Sequence, residues 1–271
     1  MNEKALRVLE FHKVLELLRE ETSSPLTEKV AEQLRPSSVP FQISEDLQLT
    51  DEAFTVLLKK GAPPFGKFFD IAGIVHLAAR GGTLTMKQLL EVAYNIAAAR
   101  RVAGFLSSDL PELPGISALT SAITVMERTE EEISRCIVSE DEMADSASPE
   151  LRRIRRGILK HGEAIKTRLQ NIVSSAANRH FLQDAIVTLR KGRYVIPVKQ
   201  EYKASLPGIV HDQSASGATL FIEPQSIVNM NNELRELELA EEKEIARILS
   251  ELSAAVGAGE AAIKANQEIL I

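Results

Sequence analysis

His211, Asp212, Ser214 and Ser216 fall within one short stretch and supply the side-chain types of a nucleophile, its base and an orienting acid. Acyl-transfer chemistry requires those groups to converge in space beside an oxyanion site, which neighbours on a single loop seldom do. A polar hairpin loop held by Asx and Ser turns is the stronger reading. Glu223-Pro224 then reads as the end of a strand before a helix. The histidines, His12, His76, His161, His180 and His211, are scattered, with no i, i+4 pair and no H-E-x-x-H setting, so no metal site is expected. Cys136, the single cysteine, forms neither an internal disulfide nor a multi-cysteine site and fits a reducing cytoplasm. Neither G-x-x-x-x-G-K-[ST] nor G-x-G-x-x-G occurs, so these residues are not expected to bind or hydrolyse a nucleotide.

Basic clusters offer different chemistry. Arg190-Lys191-Gly192-Arg193 gathers three cations at a turn, and residues 176–228 hold six basic side chains against four acidic ones, giving +2 in a chain of net charge −6. Arg190, Lys191, Arg193, Lys199 and Lys203 are therefore the candidate contacts to a phosphate backbone, without an obvious code for reading bases. A solvated turn that keeps a strand edge soluble has the same composition. A second run, Arg152-Arg153-x-Arg155-Arg156, suits phosphates or a nearby acidic helix, and the second role is the stronger because such a helix follows.

These groups need a scaffold, and the composition points to helices. The chain has 271 residues, 44% hydrophobic and 26% charged, with no Trp and 4% aromatics. That balance is globular. No apolar run is long enough for a membrane span and the N-terminus is no signal peptide, so a cytoplasmic protein is expected. Apolar spacing predicts helices over 3–21, from Pro25 to Pro36, and over 44–60, 70–80, 85–106 and 116–135, with Ser44, Thr83 and Thr85 as candidate N-caps. Breaks are expected at 61–66, 81–82 and Leu110–Pro114. Cys136 to Ser148 reads as a connector or short hairpin. Ser148-Pro149 then opens a long helix with an apolar seam of Leu151, Ile154, Ile158, Ile165, Leu169 and Ile172. A second long helix starts near Ile227 or Val228. Seven basic residues on the first helix face seven acidic ones on the second, which predicts antiparallel packing.

Between these helices, 185–189 and 193–198 flank Lys191-Gly192, and 206–211 and 218–222 flank a polar loop whose Gly217 suits positive φ. The expected fold is mainly α: a helical core bundle plus long antiparallel lever helices carrying a small four-stranded antiparallel β clamp. The corresponding divisions are a core over 1–135, a connector and outgoing lever over 136–183, the clamp over 184–226 and the returning lever over 227–271.

Four segments carry a resemblance: Ser146–Arg156 (SASPELRRIRR), Gly192–Val198 (GRYVIPV), Gly208–Pro224 (GIVHDQSASGATLFIEP) and Asn231–Glu236 (NNELRE). The chain resembles the bacterial type-2 MutS proteins along its whole length, with Leu9-Glu-Phe, Pro63-Pro-Phe-Gly66 and Gly81-Gly82 also falling where that family has them. The resemblance implies a core, lever and clamp, with the lever returning to a dimerising ATPase domain and a C-terminal Smr nuclease domain beyond this sequence. The chain is accordingly expected to be a non-catalytic N-terminal fragment without a cofactor of its own, ATP and magnesium belonging to the ATPase domain. The family's roles imply binding of branched or duplex DNA with suppression of homologous recombination, or else rescue of collided ribosomes, by a homodimer. A third reading is a purely structural lever that couples ATPase state to the clamp.

Overall fold

The computed structural model describes residues 3–22, 24–107 and 113–271. Residues 110–112 of the expected proline-marked break lie outside them. The chain forms two compact units, Met1–Ala144 with Leu249–Ile271, and Asp145–Ile248. The first contains α1 (Glu3–Val8), α2 (Phe11–Glu20), α3 (Pro25–Gln33), α4 (Pro40–Lys60), α5 (Ala72–Ala79), α6 (Met86–Leu106), α7 (Pro114–Ala122), α8 (Glu127–Cys136) and a hairpin of β1 (Ile137–Ser139) and β2 (Glu142–Met143). The second contains α9 (Pro149–Ser174), β3 (Thr188–Arg190), β4 (Arg193–Lys199), β5 (Gly208–Gln213) and β6 (Thr219–Pro224). It also holds most of α10 (Val228–Ala258), whose residues from Leu249 belong to the first unit together with α11 (Glu260–Leu270). The fold is mainly α with a small antiparallel β clamp. No helix among the described residues is long and apolar enough to cross a membrane.

The core of the first unit is built on α6, where Leu89, Val92, Ile96 and Val102 are buried. Its start is set by a capping box. Thr85 accepts from the Gln88 N–H at 3.2 Å, and the Gln88 side chain accepts from the Thr85 N–H at 3.0 Å, so Thr85 rather than Thr83 caps this helix. Three other expectations change. The helix expected over 3–21 divides because Glu10 adopts φ 53, a left-handed backbone that a right-handed helix cannot run through. The helix expected from Ser44 starts a turn earlier, at Pro40, whose fixed φ suits a first helical position. The stretch 116–135 is interrupted at 123–126, where the Asn266 amide accepts from the Thr124 N–H at 2.9 Å and donates to its carbonyl at 2.8 Å. A side chain more than a hundred residues away thus satisfies the peptide groups that a continuous helix would have bonded internally.

In the second unit, Ser148 caps α9 by accepting from the Leu151 N–H at 2.9 Å and donating to Glu244 at 2.6 Å. Further along, Arg155 donates to Glu241 at 2.6 Å, Leu237 approaches Gly157 and His161 stands 3.4 Å from Glu233. Rising numbers on α9 meet falling numbers on α10, so the two helices pack antiparallel. Arg247, with two contacts of 2.8 Å, and Ser148 hold the Glu244 carboxyl down from 4.5 to about 2. A carboxyl lowered in the folded state stabilises it above the unfolded pKa, and that contribution is lost as pH falls toward the folded value. Allowing for screening of the half-exposed Arg247, it amounts to roughly 1–2 kcal/mol. Glu244→Gln should therefore be less stable than the parent by that amount at pH 7. Urea midpoints taken from pH 7 to pH 3 should show the gap narrowing below pH 4.5, and a gap that is constant with pH would refute the assignment.

Candidate nucleic-acid interface

The clamp sheet has strand order β3-β4-β6-β5, with all neighbours antiparallel. Lys191 and Gly192 take φ 49 and 74, the paired positive values of a two-residue turn whose twist matches the strands it joins. Strand β3 is shorter than the expected 185–189. Beyond Val195 the edge of β4 is already occupied: the Gln183 N–H donates to the Pro197 carbonyl and the Lys199 N–H to the Phe181 carbonyl, both at 3.0 Å. Residues 184–187 are left without that partner. Alternate residues Ile196 and Val198 of β4 and Leu220 and Ile222 of β6 form one apolar face. It packs with Ile165, Leu169 and Val173 of α9 and Leu234 of α10, so the sheet shares its core with both helices.

The five candidate cations separate into two groups. Seven residues of β4 span about 20 Å, with Arg193 at one end and Lys199 at the other. The turn carrying Arg190, Lys191 and Arg193 lies along the middle of α9, where Leu189, Gly192 and Tyr194 line a cleft of about 240 Å³ with Leu159, Gly162, Glu163 and Lys166. At the other end, Lys199 donates to the His180 carbonyl at 3.3 Å and sits 5.9 Å from the Tyr202 ring centre. Lys203 follows it in a short 3-10 helix over Gln200–Ser205. Arg190 stacks 4.2 Å from the Phe221 ring centre, donates to the Leu189 carbonyl at 3.0 Å and stands 3.7 Å from Asp212. Lys191 and Lys203 are exposed, with no partner among the described residues. Arg179, outside the five, is also exposed.

Arg193 has a different occupation. Its guanidinium donates to Glu223 at 3.1 Å, and Glu223 is fully buried. The same carboxylate accepts from the Asn231 amide at 2.7 Å and stands 2.5 Å from His211 Nε2. Asn231 also donates to the Tyr194 carbonyl at 3.2 Å and accepts from its N–H at 3.3 Å. A buried charge persists only when it is paired and hydrogen-bonded, and here β4, β5 and α10 each send one partner to Glu223 on β6. Reading Glu223-Pro224 as a plain strand end misses this. The available signal was an acid directly after the apolar run Leu220-Phe221-Ile222.

The loop beyond His211 makes turn contacts. Ser214 accepts from the Thr219 N–H at 3.0 Å and lies 3.3 Å from Ser216, while Asp212 accepts from the Gln213 N–H at 2.9 Å. His211 faces Glu223 instead, so these residues do not form a nucleophile, base and acid relay.

The arginine run on α9 divides as well. Arg155 takes Glu241 and Asp145, and Arg153 pairs with Glu150 on its own helix. Arg152 and Arg156 point to solvent. Pairing with the acidic helix therefore accounts for Arg155 alone.

No protein-family model matches the chain. It is 43% identical over 272 residues to the Endonuclease MutS2 of Alkaliphilus oremlandii (strain OhILAs) and 45% identical over 273 residues to that of Clostridioides difficile (strain 630). Each match covers 100% of this chain and 34% of the relative, so the chain spans about a third of the length of these relatives. Three of the four segments that carry the resemblance, 192–198, 208–224 and 231–236, meet at Glu223. With this identity along its whole length, the chain belongs to the type-2 MutS family.

Proposed function

We propose that these residues are the core, lever and clamp region of a MutS-type ATPase, and that the clamp binds the backbone of branched or recombination-intermediate DNA so as to suppress homologous recombination. The observation that carries this reading is the pair of exposed, unpartnered lysines, Lys191 and Lys203, at opposite ends of the clamp, within residues 176–228 whose local charge is +2 in an acidic chain. Cations held free of internal ion pairs can exchange their counterions for phosphates. Arg190 and Lys199 flank them, while Arg193 is committed to Glu223. On this reading 1–135 is the core, 136–183 and 227–271 are the levers and 184–226 is the clamp of a cytoplasmic homodimer. ATP hydrolysis with magnesium and the endonuclease activity named for the relatives are assigned to other parts of a longer protein.

The test is a salt titration of binding to a four-way junction, a linear duplex and ribosomes. Lys191→Ala with Lys203→Ala should weaken junction binding and reduce the slope of log affinity against log salt by about 1.8, from roughly 0.9 per lost phosphate contact, with an unchanged unfolding midpoint. An unaltered slope would remove the clamp lysines from the contact. Tighter binding to ribosomes than to DNA at equal salt would favour ribosome rescue. No binding to either at low salt would favour a lever that only transmits ATPase state.

A further inference from the structure

We propose that the solvent face of α9 is a second phosphate track, in which Arg152, Arg156 and Lys160 contact the backbone of duplex DNA. This rests on the nucleic-acid reading and extends it to a surface outside the clamp sheet. The three cations occur at i, i+4 and i+8 of one helix, so they share a face. The buried face of the same helix, Leu151, Ile154, Ile165 and Leu169, is directed the other way. Successive cations are about 6 Å apart along the axis and the row is about 12 Å long. One DNA strand carries a charge about every 3.4 Å of duplex axis, so a row of this length can meet more than one phosphate.

Three observations separate this row from an ordinary solvated helix face. Acidic partners are abundant on α10, yet of the arginines and lysines of α9 Arg155 is the one that engages them among the described residues, and Arg152, Arg156 and Lys160 are exposed with no side-chain partner there. The β3–β4 turn lies along the same stretch of α9, where Gly192 and Leu189 share a cleft with Leu159, Gly162 and Glu163, bringing Lys191 to the same part of the helix. Leu159, directly before Lys160, is 67% exposed, an apolar side chain at the border of the row that can cover sugar carbons next to the phosphates. Glu163 is exposed on the same face and acts against anion binding there.

The row is tested with the 271-residue chain and a linear DNA duplex over 50–200 mM salt. Arg152→Gln with Arg156→Gln and Lys160→Gln should weaken binding about tenfold or more and reduce the salt slope by about 2.7. Glu163→Gln, which removes no contact from the core, should tighten binding. If the triple variant keeps the parental affinity and slope while Lys191→Ala with Lys203→Ala loses both, the α9 track is overturned and the clamp reading stands. If the triple variant loses affinity and the clamp variant does not, the α9 track stands and the clamp reading falls. Absence of salt-dependent binding by the unsubstituted chain would overturn both.

Discussion

Glu223→Ala should destabilise the unit formed by residues 145–248 by about 3–5 kcal/mol, the range for removing one partner of a buried ion pair. Arg193 would lose its counter-charge while remaining largely covered, and the Asn231 amide would lose its 2.7 Å acceptor on a fully buried side chain. Because Asn231 also holds both peptide groups of Tyr194, the loss should spread from β6 to β4 and the start of α10. Hydrogen exchange is the most direct readout: protection should fall across 193–199, 219–224 and 228–234, while α6 keeps its parental rates. Arg193→Ala should act in the same direction, leaving an uncompensated carboxylate with His211 and Asn231. Combining the two changes should cost less than the sum of the single losses, since residues within one network do not act independently. Parental exchange in Glu223→Ala would show that the carboxylate does not hold these elements together.

Gly208→Ala is expected to cost 2 kcal/mol or more, although it adds one methyl group near the start of an edge strand. A Cβ at Gly208 would overlap the Glu223 carbonyl oxygen and crowd Ile222. The obstacle is backbone and cannot rotate aside, so β5 must withdraw from its register with Pro224 and Glu223. Overpacking of a well-filled site costs about 1–3 kcal/mol, and the lost strand pairing adds to it. Urea unfolding should report the loss, and exchange should open first over Gly208–Gln213. His211 lies on that strand, so displacing β5 should also separate it from Glu223. A stability change within 0.5 kcal/mol, the scatter of ordinary surface substitutions, would show that the strand pair is free to widen.

Local sequence signals determined the elements themselves. Ser148-Pro149 fixes where α9 starts because a hydroxyl oxygen and a missing N–H both suit a helix N-terminus. Lys191-Gly192 fixes the β3–β4 turn because glycine, lacking a Cβ, takes its φ of 74 without steric cost. The apolar seams and opposite charges of α9 and α10 were enough to pair them antiparallel, and the four segments of resemblance were enough for the family. Such signals act within a helical turn, a two-residue loop or one helix pair.

Tertiary structure decided what the same residues do once distant parts of the chain meet. Asn266 interrupts the helix expected over 116–135 by bonding both peptide groups of Thr124. Strand β4 carries three of the five candidate cations, or their turn, to one end and Lys199 to the other, which composition cannot distinguish. Arg193, counted with the exposed basic turn, is the counter-ion of a buried acid. Arg155 is tied to Glu241 while Arg152 and Arg156 face solvent, because 100° of helix rotation per residue sends neighbours in one basic run to different surroundings. Glu223 shows the reason most plainly: its partners at 193, 211 and 231 are brought together by strand order and register across the sheet, long-range pairings set by the burial of Ile196, Val198, Leu220 and Ile222 against α9 and α10, and no spacing along the chain records them.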